Sequence, residues 1–336
     1  MTSSSAQATS DGLERGRGLR LPLLPASAFG IVLGTAGLAN SWRAASSYWG
    51  LPEQIGAGVA IAAVAIWIVL TTLFAIKWLV FRGDAVEEVF HPVQCCFVGL
   101  VGVSTMLAAG AMLPWWPGCA KALFWVGFAY TIAFGVWRTG DLWHGGRDPS
   151  TTTAVLYLPT VAGSFVTAIV GTHFAGPVFG QMAFGAGLFS WLAIESVLLH
   201  RLLTAVELAD ALRPTIGIQL APPAVGSVAY LSTSSGHPDI LILTMFGYAV
   251  LQTLLMLRIL PWVMKQGFSA SYWAFTFGAT SLATSAIKLA QRDAGEPIYQ
   301  LAKVAFALAN ITVGIIAVMS LILLLRGALF SMKRVE

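Results

Sequence analysis

Residues 271–288 combine the residue types that could line a passage for small solutes. They read SYWAFTFGATSLATSAIK, are long enough to cross a bilayer, and carry no charge before Lys288. The small and polar members are Thr276, Gly278, Thr280, Ser281, Thr284 and Ser285. Such a helix is predicted to lie inside a bundle rather than against lipid. Phe275 and Phe277 are large side chains among these small ones, so they could gate an opening or fill a bundle core. Both interpretations stay open here.

The chain lacks the usual motifs of enzymes. It has no Walker phosphate loop, no zinc-binding His-x-x-x-His pair and no nucleophile elbow. The three cysteines, Cys95, Cys96 and Cys119, show no spacing typical of a metal cage, and they are interpreted as packing thiols. The sequence therefore predicts a protein that is not an enzyme and that holds no metal and no cofactor.

Glu195 is the only carboxylate well within an apolar run. Intramembrane carboxylates are costly and often mark ion or proton pathways. However, Glu195 precedes His200 and Arg201 by one to two helical turns, near the predicted cytoplasmic end of its helix. Its position is compatible with a helix-end ion pair and with a proton site.

Hydroxyl groups and positive half-helix ends in the polar helices favour anions modestly. A passage with few charges binds weakly, which favours fast permeation of singly charged anions over tight capture. Lys288, near the outer end, could raise the local anion concentration or simply extend its ammonium group to the membrane interface.

Composition indicates a polytopic membrane protein. Of 336 residues, 57% are hydrophobic and 10% charged, and the mean hydropathy is +0.77. A single soluble core could not bury that much apolar surface, so the lipid bilayer is the expected partner. The net charge of +4 is small and concentrated at membrane edges, which argues against binding of nucleic acid.

Apolar runs predict an all-α protein with ten transmembrane helices. The runs cover approximately residues 21–42, 55–79, 92–113, 118–137, 154–174, 177–199, 214–232, 239–262, 268–290 and 298–325. Residues 1–20 are predicted to be a disordered cytoplasmic tail, residues 21–326 the ten-helix domain, and residues 327–336 a short cytoplasmic tail.

The distribution of basic residues predicts that both termini are cytoplasmic. With the amino terminus inside, 14 of the 19 basic residues lie on the cytoplasmic side. The opposite side receives Arg43, Lys121, Lys288, Arg292 and Lys303. This asymmetry follows the positive-inside rule.

Helix-breaking residues recur in the odd-numbered predicted helices. Pro25, Pro92, Pro159, Pro222 and, in place of a proline, Gly278 are separated by 67, 67, 63 and 56 residues. The near-constant spacing predicts five helical hairpins with quasi-fivefold symmetry. Odd helices, rich in Pro, Gly, Ser and Thr, would form an inner ring around a pore, and the bulkier even helices would face lipid. Pro and Gly are also common in membrane helices generally, so this alternative stays open.

Several short motifs together resemble the family of bacterial TehA proteins. They are LPASAFGIVLG at residues 24–34, HPV at 91–93, YLPTVAGSF at 157–165, LFSWLAIE at 188–195, GIQLAPP at 217–223, MLRILPW at 256–262 and SYWAFTFG at 271–278. This tellurite-resistance and dicarboxylate transporter family also contains fungal malate permeases and the slow anion channels of plant guard cells. The resemblance extends from about residue 21 to residue 325.

The resemblance implies a homotrimer of the bacterial inner membrane in which each subunit has its own pore. It places the gating phenylalanine of the ninth helix at Phe277 and pore-lining glycines at Gly30 and Gly34. The full set of candidate pore-lining residues is Gly30, Gly34, Phe29, Pro25, Pro92, Phe97, Pro159, Phe165, Pro222 and Gly278.

The expected function is that of a passive, selective channel for small inorganic or organic anions, related to tellurite resistance. The alternative is a proton-coupled carrier of C4-dicarboxylates such as malate, with Glu195 or a histidine as the coupling group. A carrier usually needs a titratable group at the membrane midplane, and the predicted pore offers none. A receptor or scaffold would leave the polar inner ring without a purpose.

Overall fold

A computed structural model describes residues 20–334, and it is helical apart from one small sheet. The helices are α1 (Gly30–Trp49), α2 (Glu53–Val80), α3 (Arg82–Phe90), α4 (Cys95–Val98), α5 (Leu100–Met112), α6 (Pro117–Leu142), α7 (Gly163–Ala175), α8 (Pro177–Thr204), α9 (Ala221–Thr233), α10 (Ile240–Val263), α11 (Ala274–Gln291) and α12 (Glu296–Leu325). The predicted tail at residues 1–20 lies outside the described residues except for Arg20.

Within residues 20–334, seven helical segments are long and apolar enough, by length and composition, to cross a membrane. They are Glu53–Val80, Cys95–Met112, Pro117–Leu142, Ala154–Ala175, Pro177–Thr204, Ile240–Val263 and Glu296–Leu325. These helices confirm the prediction of an all-α membrane protein. Helices α1 and α11 are long enough but are not among the seven, because small and hydroxyl-bearing residues replace large apolar ones along them. Helix α9 has only 13 residues.

Consecutive helices pack as pairs: α1 with α2, α5 with α6, α7 with α8, α9 with α10, and α11 with α12. The connections within these pairs are short, for example a single residue, Gly176, between α7 and α8. Short connections join antiparallel neighbours. The first members of the pairs therefore run in one direction and the second members return.

The first members of the pairs also contact one another in a closed ring. Contacts join α1 to α5, α5 to α7, α7 to α9, α9 to α11 and α11 back to α1. We call these five the inner helices and α2, α6, α8, α10 and α12 the outer helices. The apolar windows of the outer helices are only 22–33% buried, against 72% and 83% for the segments that contain α7 and α5. Their exposed branched and aromatic side chains suit a lipid environment.

Small residues allow the ring to close. A Cβ built on Gly34 of α1 would lie 2.1 Å from Oγ1 of Thr276 in α11. Within a pair, a Cβ on Gly102 of α5 would lie 2.8 Å from the carbonyl oxygen of Gly127 in α6. Only glycine lets helix backbones approach this closely.

Every inner helix is preceded by a tight or irregular helical turn. These turns are the 3₁₀ segments Ala26–Phe29, Asp210–Leu220 and Ala270–Trp273, the short helix α4 before α5, and the π-helix Leu158–Ala162 before α7. Proline causes part of this irregularity, because it cannot donate a backbone hydrogen bond. An inner segment below means an inner helix together with the helical turns before it.

The two ends of the described chain pair with each other. Strand β1 (Arg20–Leu23) is antiparallel to strand β2 (Ser331–Arg334), with Arg20 opposite Arg334 and Leu23 opposite Ser331. The strands and the surface helix α3 were not predicted. Helix α3 carries an acidic residue in its first turn and lacks a long apolar run, so a search for membrane spans passes over it.

Candidate functional site: a cavity inside the inner ring

A cavity of about 60 Å³ lies at the centre of the ring, and all five inner segments line it. The lining residues are Ser27, Gly30 and Leu33, then Phe97 and Leu100, then Tyr157, Leu158, Val161, Ala162 and Phe165, then Thr215, Ile218, Ala221, Pro222 and Val225, and finally Ala270, Ser271, Trp273, Ala274 and Phe277. This space suffices for a small anion with part of its water. No lining residue carries a formal charge, and the polar groups are a few hydroxyls and the indole of Trp273.

The cavity ends at five apolar side chains, one from each inner segment. Because the inner helices run in one direction, the last lining residue of each marks the same end of the cavity. These residues are Leu33, Leu100, Phe165, Val225 and Phe277, and none is more than 9% exposed. We call them the apolar ring. A constriction of this kind resists the passage of hydrated ions by dewetting.

Phe277 lies in the apolar ring and is 7% exposed. Its aromatic carbon Cδ2 would be 3.2 Å from a Cβ built on Gly37, so the ring lies against bare backbone of α1. Phe275 lies elsewhere. Its ring stacks on Tyr272 at 6.3 Å between centroids and covers Gly217.

The cavity lining includes four of the ten candidate pore-lining residues, together with the candidate gate Phe277. The four are Gly30, Phe97, Phe165 and Pro222. A Cβ on Gly30 would have only the Cβ of Trp273 nearby, at 3.6 Å, which is an ordinary contact. Position 30 is therefore open toward the cavity.

The other candidate glycines and Phe29 lie in helix contacts. Gly34 faces Thr276, as described above, and Gly278 faces Leu220, whose Cγ would be 2.9 Å from a Cβ at position 278. The ring of Phe29 packs edge-on against Phe74 of α2, with centroids 5.6 Å apart. These three residues hold neighbouring helices together and do not line the cavity.

The remaining candidate prolines lie at the inner-segment starts, outside the lining. The carbonyl oxygen of Pro25 accepts a hydrogen bond from the backbone N–H of Ala28 at 3.0 Å, and this bond begins the first 3₁₀ turn. Pro92 is exposed, and Pro159 places its carbonyl oxygen 2.9 Å from a Cβ built on Gly135 of α6. Their regular spacing thus reflects how the inner segments begin.

Glu195 of α8 accepts four hydrogen bonds and forms no ion pair within the described residues. Tyr157 donates to Oε2 at 2.5 Å and Trp191 at 2.8 Å, while Gln219 donates to Oε1 at 2.9 Å and Tyr248 at 2.5 Å. The expected helix-end ion pair with His200 or Arg201 is therefore absent here. The donors come from the third and fourth inner segments and from α8 and α10, so the carboxylate joins four elements.

Glu195→Gln is expected to lower stability and leave anion selectivity unchanged. The new amide must face donors such as the Trp191 indole, and a buried unsatisfied donor costs about 1–3 kcal/mol. Thermal unfolding of the purified protein in detergent measures the loss, and reversal potentials in mixed anion solutions measure selectivity. A variant of parental stability with altered selectivity, or with altered dependence on a proton gradient, would contradict this assignment.

Three residues in or next to the cavity were not among the candidate site residues predicted from the sequence. Tyr157 lines the cavity and binds Glu195, Gln219 binds both of them, and Trp273 donates to Ser320 of α12 at 2.9 Å. Tyr157 and Trp273 do lie in the motifs at 157–165 and 271–278 that resemble the family, but these motifs do not reveal which residues the two side chains contact.

Comparison with known proteins agrees with this geometry. A family model described as "SLAC1: Voltage-dependent anion channel" matches residues 24–326. A tellurite resistance protein TehA homolog of Haemophilus influenzae is 33% identical over 312 residues, covering 91% of this chain and 93% of that protein. An uncharacterized transporter of Methanocaldococcus jannaschii is 24% identical and covers 74% of this chain and 78% of its own length. The S-type anion channel SLAH3 of Arabidopsis thaliana is 24% identical over 280 residues, which are 79% of this chain and 43% of that channel.

Proposed function

Because the chain belongs to the SLAC1 family of voltage-dependent anion channels, we propose that it is a passive, selective anion channel gated by Phe277. One observation carries the proposal: an uncharged cavity lined by all five inner segments ends at a ring of apolar side chains. The lining hydroxyl groups of Ser27 and Ser271 offer weak donors to an anion, and no carboxylate is among the lining residues to repel it. Movement of the Phe277 ring away from the axis would open the passage.

The proposed pore requires ten membrane crossings by five hairpins. The helix pairs and the closed ring of inner helices support this count. The paired strands β1 and β2 support it independently, because they hold the chain before α1 and the chain after α12 on one side of the membrane. An even number of crossings must lie between them, whereas length and hydropathy alone select seven helices in the described part of the chain.

We place the protein in a bacterial inner membrane with both termini in the cytoplasm. The excess of basic residues on that side supports the orientation. We further propose a homotrimer of independently conducting subunits. A ring closed within one chain gives each subunit a complete pore, and the exposed apolar faces of the outer helices offer surface for neighbouring subunits as well as lipid.

The alternative carrier function has one observation in its favour. Tyr157 lines the cavity and donates a hydrogen bond to Glu195. Binding of a proton to Glu195 would break or reverse this hydrogen bond and so change the lining of the cavity. Against it, Glu195 does not line the cavity, and each of its carboxylate oxygens accepts two hydrogen bonds, so the group serves to join four elements of the bundle.

A planar bilayer recording of the purified protein tests the proposal. Currents that reverse at the anion equilibrium potential and do not change with a pH gradient are the expected result. Empty bilayers and bilayers with heat-denatured protein serve as controls. Saturable flux that shifts with the proton gradient would favour the carrier and overturn the channel.

A further inference from the structure

Lys288 lies on the same face of α11 as Phe277. Eleven residues separate them, which is close to three full turns of 3.6 residues, or a rise of about 16 Å. Ser281 and Thr284 fall between them at the intervening turns of that face, and both are buried. The face that carries the proposed gate therefore continues as hydroxyl groups and ends at an ammonium group.

The facing surface of α9 leads to the same point. Pro222 and Val225 of α9 line the cavity, and Ser232 is seven residues, or about two turns, beyond Val225. The ammonium nitrogen of Lys288 donates to the hydroxyl oxygen of Ser232 at 3.3 Å. Two cavity-lining faces from separate helices thus converge at one contact on the far side of the apolar ring.

Lys288 has no acidic partner in the described part of the chain. The ion pairs found there join Lys77 to Glu88, Arg138 to Asp141, and Arg213 to Glu207 and Asp210. All of these lie on the predicted cytoplasmic side. Among residues 20–334, no carboxylate forms an ion pair with Lys288 or with its neighbour Arg292.

Asp293, the acidic residue nearest to Lys288 in sequence, is exposed and forms no ion pair with it within the described residues. Two further acidic groups near the contact are engaged elsewhere. Asp239 accepts from the Tyr230 hydroxyl and caps the start of α10, and Glu296 accepts from Gln300. Arg292 donates to the carbonyl oxygens of Leu231 and Ser234 at 2.6 and 2.7 Å and so closes the end of α9. A largely buried ammonium without a counter-charge is costly.

From this placement we propose that Lys288 and Ser232 form a binding site for a small monovalent anion in the outer half of the pore. The ammonium group has three donors and Ser232 takes one, which leaves donors for the ligand. The inference rests on the proposed function, because it assigns a resting place for the permeating anion beyond the apolar ring. Occupancy would supply the counter-charge that the protein does not.

Anion-dependent stability in detergent tests the site without requiring conduction. The midpoint of thermal unfolding is measured while nitrate replaces gluconate at constant ionic strength. The parent should be stabilised by nitrate with saturation. Lys288→Met should raise the half-saturating nitrate concentration about tenfold or more, because it removes the only charge in the site. Lys288→Arg keeps the charge and should retain the effect.

Lys121→Met is the matched control, since it removes an exposed cation of the same predicted side from the outer helix α6. It should leave the nitrate dependence unchanged. If Lys288→Met does not fold, Ser232→Ala replaces it and should weaken nitrate binding several-fold. An unchanged nitrate dependence in the folded variant, or none in the parent, overturns the site. Nitrate binding that requires Lys288 in a protein that passes no current even as its Phe277→Ala variant would overturn the channel and leave the site standing.

Discussion

Phe277→Ala is expected to raise the basal anion current of each channel about tenfold or more. The phenyl ring contributes one of the five apolar side chains that close the cavity, and it rests on the bare backbone of Gly37. Removing it widens the constriction and lets water wet it, which lowers both the steric and the dewetting barrier. Each ~1.4 kcal/mol removed from a barrier multiplies a rate by ten. Single-channel recording in bilayers measures the change.

An ordinary packing role predicts a different result. Deleting a buried phenylalanine typically costs about 3–5 kcal/mol of stability, which would reduce the amount of folded protein without opening a passage. Size-exclusion chromatography and thermal unfolding of the variant separate these effects. A folded Phe277→Ala protein that conducts no more than the parent would show that the ring only fills the core.

Phe275→Ala is the internal control for the gate. Its ring covers Gly217 and stacks on Tyr272, away from the cavity. The two phenylalanines have the same size and lie two residues apart on one helical segment. Only the loss of Phe277 should open the pore, and equal opening by both variants would contradict the assignment.

Gly30→Asp is expected to abolish conduction. Position 30 lines the cavity, and a side chain there has only the Cβ of Trp273 nearby. The carboxylate would therefore extend into a space of about 60 Å³, narrow it, and repel an anion in surroundings of low dielectric constant. Current in the Phe277→Ala background is the measurement, because the parent is expected to be largely closed.

Gly30→Ala separates charge from bulk. The methyl group would make a contact of 3.6 Å, which needs no shift of the neighbouring helix. We expect Gly30→Ala to fold and conduct, with at most a modest reduction. Normal conduction by a folded Gly30→Asp variant would exclude position 30 from the pore.

Sequence patterns predicted the helical segments well, because their signals are local. Each predicted run overlaps a helical segment in the described part of the chain, and the last of them, predicted at 298–325, is Glu296–Leu325. Seven of these segments are long and apolar enough to cross a membrane, so the count of ten crossings stays a prediction. The largest difference is at the first, predicted at residues 21–42. Residues 21–23 of this run belong to strand β1, and α1 continues beyond the run to Trp49. The final turns of α1 were not predicted, because the stretch that contains Arg43 is polar and ends the apolar run. In the structure, Arg43 donates to the carbonyl oxygens of Gly110 and Ala111 and so stays within the bundle.

The lining of the cavity was harder to predict, because it depends on how helices are rotated against each other. Gly30 and Gly34 lie one turn apart on α1, yet only Gly30 faces the cavity, since α11 crosses α1 at Gly34. Glu195 illustrates the same limit. Tyr157, Gln219 and Tyr248 are distant from it in sequence, so no local pattern could distinguish its four-donor site from an ion pair with Arg201.

Strands β1 and β2 bring the two ends of the described chain together, so the helix pairs could follow one another in a different sequence order without changing their positions in the ring. With Arg20 opposite Arg334, the described chain almost closes on itself, and each hairpin has a neighbour on both sides. A short linker between the two strands, with a new break in the connection at residues 205–209 between α8 and the fourth inner segment, would give a circular permutant that begins with the fourth hairpin. Nothing in the ring of contacts would need to change, because the ring distinguishes no first or last member.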